Sequence, residues 1–368
     1  MNLLRPNNQL HNNSIYIHKG YPFDVTATNA CKGVALLFLL WHHLFNQYPE
    51  YGFYIFLTSQ LAKVCVSIFL ILSGYGLSES IKNKKLGLFT FYKNHLTKLY
   101  LNYWLIAALF VSIGIIFMNY PLESAYNDHA YLKFLVQMTG LHRWIYPELG
   151  YNATWWYMST IIPLYLLFPV IYLLTKKGGL WFFSFMLLIM FLFPIDVLTG
   201  NVIMHFLLWS IPFCFGVYIS HRNGFVVINL LLKKTSILHF GILACLIIGV
   251  AFLRQSEFFI NSLKIDWLLG SLIILFTFEL SNLSYIIKRI LSFLGNQLFN
   301  IFLFHTFIFY YYWQDKVYSF KNPLLIFTVF LSVCILVSVF IEQIKKLILF
   351  YKLEASIINI SIHDKYFI

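Results

Sequence analysis

Charge is scarce in this sequence. Only 11% of its 368 residues are Asp, Glu, Lys or Arg, while 60% are hydrophobic and 20% aromatic. With a mean hydropathy of +0.74, that balance excludes an ordinary soluble domain. Internal repeats, a low-complexity linker and a glycine-rich phosphate loop are also missing from the sequence, which argues against solenoid architectures and P-loop chemistry. Cysteine is sparse. Cys31, Cys65, Cys214, Cys245 and Cys334 fall within or at the edges of apolar segments, without metal-ligand spacing, and read as small buried apolar residues. Residues 1 to 28 hold no apolar core of signal-peptide length, so the first span is expected to be retained and to insert the protein. The formal net charge of +12 is dispersed over short loops. It points to topology signals and contacts with anionic lipid or phosphate, and not to nucleic acid.

Long apolar runs recur along the whole chain. At about 20 residues per span, they predict an all-α, polytopic integral-membrane helical bundle of about ten transmembrane helices. The spans are expected near 31–48, 57–78, 99–118, 154–174, 179–196, 202–220, 237–253, 265–280, 298–313 and 323–344. With the N-terminus inside, nineteen of the 26 lysines and arginines fall on inner segments, six on outer loops, and Lys63 inside the second span. This asymmetry places both termini in the cytoplasm. The expected division is a cytoplasmic N-terminal segment over 1–28, a transmembrane domain over 29–346 and a short cytoplasmic tail over 347–368.

The stretch from Asp24 to Tyr75 organises the rest. Its two apolar helices carry polar residues that a bilayer does not accept without a use. Lys32 precedes His43 by eleven positions, so about 16 Å of helix separates the cation from the imidazole. His42 points about 100° away from His43, so at most one of the pair faces a common cavity. The second helix ends its apolar run in Ser73-Gly74-Tyr75, with Phe69 one turn before.

A basic residue, ten intervening residues, a histidine and then an apolar run ending in Ser-Gly-aromatic resemble the acyltransferase 3 family, whose membrane enzymes transfer acyl groups to extracytoplasmic sugars. Later segments extend the resemblance in order. Trp156, Tyr165 and Pro169 match a family pattern at the start of the fourth span, and Gly295 through His305 match a late glycine-to-histidine signature. The family's Arg-x-x-Arg pattern aligns with His95 and Lys98. Here the chain departs from it, because neither position is arginine and Leu101 stands where proline is usual. Lysine offers a point charge in place of the planar two-pronged guanidinium. Phe299 and Phe302 stand where tyrosine is common, and Leu298 replaces a usual serine. The matches run from residue 24 to about 305.

The resemblance implies a donor, acyl-CoA and in the first instance acetyl-CoA, held by its phosphates on Lys32, His95 and Lys98, with Trp156 and His305 also in the donor set. His43 is the implied catalytic residue. It serves either as general base on the acceptor hydroxyl, since a reference pKa near 6.5 leaves neutral imidazole available, or as a transient acyl carrier. Each residue also has a plainer reading. His43 and His305 could hydrogen-bond between helices, Lys82 to Lys85 could set topology, and Ser73 and Gly74 could allow close helix approach.

The longest outer loop, Met118 to Ala153, combines carboxylates and aromatic rings, including Trp144, Glu148 and Tyr151. These are the candidates for acceptor binding, because apolar sugar faces stack on rings while hydroxyls need polar partners. A solvated loop with an aromatic belt is the competing reading. Asp196 and His205 carry no motif and stay unassigned. The residues after Phe350 are too few for the esterase-like domain that some relatives append. The expected partners are membrane lipids, acyl-CoA and an extracytoplasmic glycan, with the bacterial inner or plasma membrane as location. A transporter or flippase of glycan, lipid or anion is the rival from another class, although paired glycine or proline interruptions in two similar halves are not found. A relative that has kept the fold as a sensor or complex subunit is a third reading, against which the retention of Lys32 and His43 argues.

Overall fold

The computed structural model describes residues 23–84, 87–126, 128–232, 238–255 and 263–359. Lys85, Lys233, Lys234 and both chain ends, which entered the charge count, lie outside the described residues. Among those described there is no strand. The helices are α1 (Val25–Phe45), α2 (Phe53–Ala62), α3 (Cys65–Lys84), α4 (Leu88–Phe117), α5 (Ala130–Met138), α6 (His142–Ile145), α7 (Met158–Leu192), α8 (Ile195–Gly200), α9 (Val202–His221), α10 (Gly224–Leu232), α11 (Leu238–Gln255), α12 (Asp266–Leu283), α13 (Tyr285–Thr306), α14 (Gln314–Tyr318), α15 (Pro323–Leu347) and α16 (Phe350–Asn359).

Local sequence explains where several begin. The Asp24 side chain accepts a hydrogen bond from the Ala27 amide at 2.7 Å and caps α1. Asn201 and Asn322 cap α9 and α15 in the same way. Among the described residues, seven helical stretches are long and apolar enough to cross a membrane: Phe53–Lys82, Leu88–Phe117, Ala153–Leu192, Val202–His221, Leu238–Gln255, Tyr285–Tyr312 and Pro323–Leu347. The 21-residue α1 and the 18-residue α12 approach spanning length too, but their polar residues, Lys32, His42 and His43 or Asp266 and Glu279, lower their apolarity. The stretch through α7 bends at Gly179, whose φ of +50° favours glycine, so two spans run on from one another there. A total of about ten is compatible with this arrangement.

Large apolar side chains on the outer helices remain exposed, among them Trp181, Phe252, Leu336 and Phe340. In water such a surface would drive association, whereas lipid accepts it. The chain is a multi-pass membrane protein. α1 lies at the centre, packed on α2, α3, α12, α13 and α15.

Two helix pairs approach closely through reciprocal glycines. A Cβ on Gly33 would overlap the Leu291 carbonyl of α13, and one on Gly295 would overlap the Asn29 carbonyl of α1. Gly74 on α3 meets Phe213 of α9, and Gly216 of α9 meets Ile71 of α3. Gly74 thus does allow close approach, as expected of small residues at membrane helix contacts. The first pair fixes the helix carrying Lys32 and His43 against the helix carrying His305.

Some element boundaries differ from expectation. α4 starts at Leu88 and not near residue 99, so His95 and Lys98 lie on a helix, three positions apart and on one face. With Leu101 in place of a proline, nothing breaks that helix. α13 likewise starts at Tyr285 and takes Gly295 into its body. The expected outer loop is folded: α5 and α6 occupy it, and Tyr126 and Tyr151 are buried. Four of the cysteines are buried and Cys245 is exposed, and no metal-holding cluster exists among the described residues.

Candidate active site

Two cavities lie along α1, one at its Lys32 end and one at its His43 end. The first, about 400 Å³, is lined by Lys32, His95 and Lys98 together with Asn29, Asn102, Ser73, Tyr157, Tyr165 and Asn296. The basic residues named from sequence therefore converge, although they come from α1 and α4. Asn29 Nδ2 donates to Asn296 Oδ1 at 2.7 Å across the α1–α13 contact, so a polar bridge lies at the base of Lys32. His95 Nε2 lies 3.3 Å from the Ser80 hydroxyl, and its ring packs on Phe91. Lys82 is occupied elsewhere. It donates to Glu79 at 2.9 Å and to the Ser220 carbonyl of α9, which ties α3 to α9.

The second cavity, about 590 Å³, is lined by His42, His43, Lys63, Arg143, Thr154, Trp156, His205, Thr306, Tyr310 and Tyr311, among others. Both volumes lie within the range of about 300 to 1,000 Å³ usual for small-molecule sites. The two spaces share their walls. Cys65 and Val66 line one and Phe69 the other, Trp156 one and Tyr157 the other, Thr306 one and Phe302 the other. About one helical turn of wall therefore separates them. Rings form that partition: Phe69 contacts Tyr157, Tyr157 contacts Phe302 with centroids 5.1 Å apart, and Phe302 lies 6.4 Å from His305. His305 then faces His43 at 4.9 Å.

The two adjacent histidines of α1 differ in their surroundings. His42 is saturated: Nδ1 lies 2.8 Å from the Ser59 carbonyl, and Asn46 Nδ2 lies 3.3 Å from Nε2. The carbonyl accepts only, so Nδ1 carries the proton and Nε2 accepts from Asn46. His43 makes no side-chain hydrogen bond among the described residues. Its nitrogens are left for whatever occupies the cavity.

His305 is fully buried. Its Nδ1 lies 3.0 Å from both the Ile301 and Phe302 carbonyls, so the proton resides there. That leaves Nε2 as a bare acceptor without a hydrogen-bond partner among the described residues. A buried acceptor without a partner is costly, and the nearest polar ring is His43. A π-helical turn, Phe307–Tyr312, follows immediately, a distortion common at functional sites. Asn152 Oδ1 receives the hydroxyls of Thr154, at 2.7 Å, and of Thr306, at 2.9 Å. Trp155 Nε1 donates to the Leu303 carbonyl at 2.9 Å. These bonds hold the end of the folded loop against α13 beside His305.

Trp156 lines the His43 cavity, one wall away from the basic residues with which it was grouped. The other loop candidates are engaged within the fold. Glu148 pairs with Lys133 at 2.7 Å, Trp144 Nε1 donates to the Ser159 carbonyl at 2.7 Å, and the Tyr151 hydroxyl donates to the Tyr120 carbonyl at 2.7 Å. Their neighbours Arg143 and Leu149 line the cavity. Lys63, Arg143 and His205 carried no assignment from sequence. Lys63 had the clearest signal, a lysine within an apolar run. It occupies the break between α2 and α3 and faces the cavity.

A cation-lined space and a histidine-lined space, divided by a ring partition on the three helices that carry the sequence signatures, suit group transfer between two separately bound substrates. Comparisons with curated proteins and with solved structures gave no match. The family model described as an acyltransferase domain matches residues 25–343, nearly the whole chain, and with the signature residues gathered about these two cavities the protein belongs to the acyltransferase 3 family.

Proposed function

We propose that this acyltransferase moves an acetyl group from cytoplasmic acetyl-CoA to a hydroxyl of an extracytoplasmic cell-surface glycan. One observation carries the reading: the Lys32–His95–Lys98 cavity and the His43 cavity are lined by neighbouring residues of the same helices, about one helical turn apart, and His305 packs against His43 behind that partition. The lysine and arginine asymmetry supports putting the Lys32 side in the cytoplasm. There the donor's phosphates pair with Lys32 and Lys98, and the thin pantetheine arm passes Tyr157 and Phe302 so that the thioester reaches the histidines. The nucleotide never crosses the membrane.

His43 then accepts the proton of the glycan hydroxyl as the oxygen attacks the thioester carbonyl carbon. The C–S bond breaks, the new ester C–O bond remains, and the imidazolium returns its proton to the CoA sulfur, which leaves as the thiol. His305 Nε2, an acceptor by virtue of its tautomer, is placed to receive the other N–H of His43 once substrate turns that ring toward it, and so to orient it. Direct transfer fits two adjoining cavities, because neither substrate has to leave before the other arrives.

The test uses purified protein in nanodiscs with acetyl-CoA and oligosaccharide acceptors. Free thiol and acetylated sugar are expected in equal amounts, and His43→Ala, still folded, is expected to release both about a hundredfold or more slowly. Unmodified movement of glycan across the bilayer, without thiol, would replace this reading with the transporter.

A further inference from the structure

The His43 cavity has an unbalanced charge. Among the described residues that line it are Lys63 and Arg143, and no Asp or Glu. Neither cation has an ion-pair partner or side-chain hydrogen bond among the described residues, and both are only partly exposed. The nearby acids are already engaged. Asp266 gives one carboxylate oxygen to Arg254 Nε at 2.5 Å and the other to Nη2 at 3.2 Å, and Glu148 is paired with Lys133. His205 in the same lining donates as well. Trp209 Nε1 donates to His205 Nε2 at 3.0 Å. Indole can only donate, so His205 carries its proton on Nδ1 and offers an N–H.

Partly buried cations without an ion-pair contact are costly unless a ligand completes them. We propose that the acceptor glycan presents an oxyanion, a sugar carboxylate or phosphate, to Lys63, Arg143 and His205 while its hydroxyl faces His43. This rests on the acyltransferase reading above. An ammonium from the α2–α3 break, a guanidinium from α6 and an imidazole N–H from α9, lining one cavity, form a donor set suited to an acidic sugar unit. Such a contact orients the acceptor hydroxyl and also discriminates, because a neutral sugar leaves these donors unpaired.

Full-length protein in nanodiscs is given acetyl-CoA with a neutral gluco-oligosaccharide, with its uronic-acid counterpart, or with its 6-phosphate. At least one acidic acceptor is expected to release thiol with a kcat/KM tenfold or more above the neutral one, and the two acidic arms identify which oxyanion is preferred. Lys63→Gln and Arg143→Gln are expected to bring the acidic-to-neutral ratio toward one, while Lys63→Arg keeps the preference. Binding of the same oligosaccharides to His43→Ala protein reads recognition without chemistry and is expected to show the same order. Equal turnover and binding of neutral and acidic acceptors, with His43 still required, would overturn the inference and leave the acyltransferase reading intact. Absence of thiol with every acceptor, from folded protein, would overturn both.

Discussion

The imidazole rings of His43 and His305 lie 4.9 Å apart, inclined at 53°, one on α1 and one on α13. Because Nδ1 of His305 is committed to two backbone carbonyls, the pair is asymmetric: His43 has free valences and His305 has a single acceptor. Removing the first should cost the chemistry more than removing the second. His43→Ala is expected to lower kcat by about 10²- to 10⁴-fold. His305→Ala is expected to cost about tenfold to a hundredfold, roughly 1.4 to 2.7 kcal/mol, and to shift the pH–rate profile that reports His43. Equal loss in both variants, with unchanged pH profiles, would remove the orienting role given to His305.

Lys32 lies about three helical turns from that pair, too far to touch the thioester while the donor's phosphates lie beside it. Lys32→Ala is therefore expected to raise KM for acetyl-CoA by roughly tenfold to a hundredfold, since a charged hydrogen bond contributes about 1.5 to 3 kcal/mol, with kcat changed little. Steady-state kinetics with donor and acceptor varied separately would show this split. A fall in kcat at saturating donor would place the residue in the chemistry instead.

Lys32, His43 and His305 were legible in the sequence because a polar residue in an apolar run is conspicuous whatever the tertiary structure. Lys63 was conspicuous on the same ground, whereas Arg143 and His205 were not; the three come from distant segments, and only packing shows that they converge. Hydropathy also hid the early start of α4, since His95 and Lys98 make its first turns polar while those turns remain helical. The loop before Trp155, open in the sequence to acceptor binding or to a solvated belt, is folded, and Tyr126, Gln137 and Tyr151 interlock there, with Gln137 Oε1 accepting from the Tyr151 amide at 2.9 Å.

The glycine contact between α1 and α13 should be sensitive to a single methyl. At Gly295 the new Cβ would meet the Asn29 backbone, not a side chain that can swing away. Gly295→Ala is expected to destabilise by about 1 to 3 kcal/mol through overpacking, and Gly295→Leu to prevent recovery of folded protein. Thermal unfolding followed by size-exclusion in detergent measures both. Gly241, which has open space around its Cβ position, is the control and should tolerate alanine.

Arg254 and Asp266 form a buried pair, with Arg254 Nη1 also donating to the Gln60 carbonyl at 3.0 Å. Gln60 in turn donates to the Asn46 carbonyl at 2.8 Å, so the pair braces the end of α1 just beyond His43. Breaking one side leaves an uncompensated charge, and Arg254→Ala or Asp266→Ala is expected to cost about 3 to 5 kcal/mol. The double variant Arg254→Met with Asp266→Leu is expected to regain much of that. If the double variant lost as much as the two singles added together, the pair would not be coupled.

The folded loop predicts a pH response with a definite sign. Lys133 bridges Asp128 at 2.5 Å and Glu148 at 2.7 Å, joining the start of α5 to the segment after α6. Its hydrogen bonds hold both carboxyls below their ordinary range, and the bonds to Asp128 and Glu148 hold the Lys133 ammonium above the ordinary lysine value. A lowered carboxyl contributes stability above its unfolded pKa of about 4 and loses it as pH falls through the lowered native value. A raised ammonium contributes fully below about 10.4 and loses that contribution as pH rises through its raised native value. The bridge should thus be intact across neutral pH and fail first on strong acidification. Limited proteolysis in nanodiscs is expected to spare residues 118–153 at neutral pH and to cut them after acidification below about pH 4. Lys133→Met removes the partner that sets both shifts, so its loop should be cut at neutral pH with a weaker dependence on acid. A wild-type loop cut equally at both pH values would show that the bridge does not hold it.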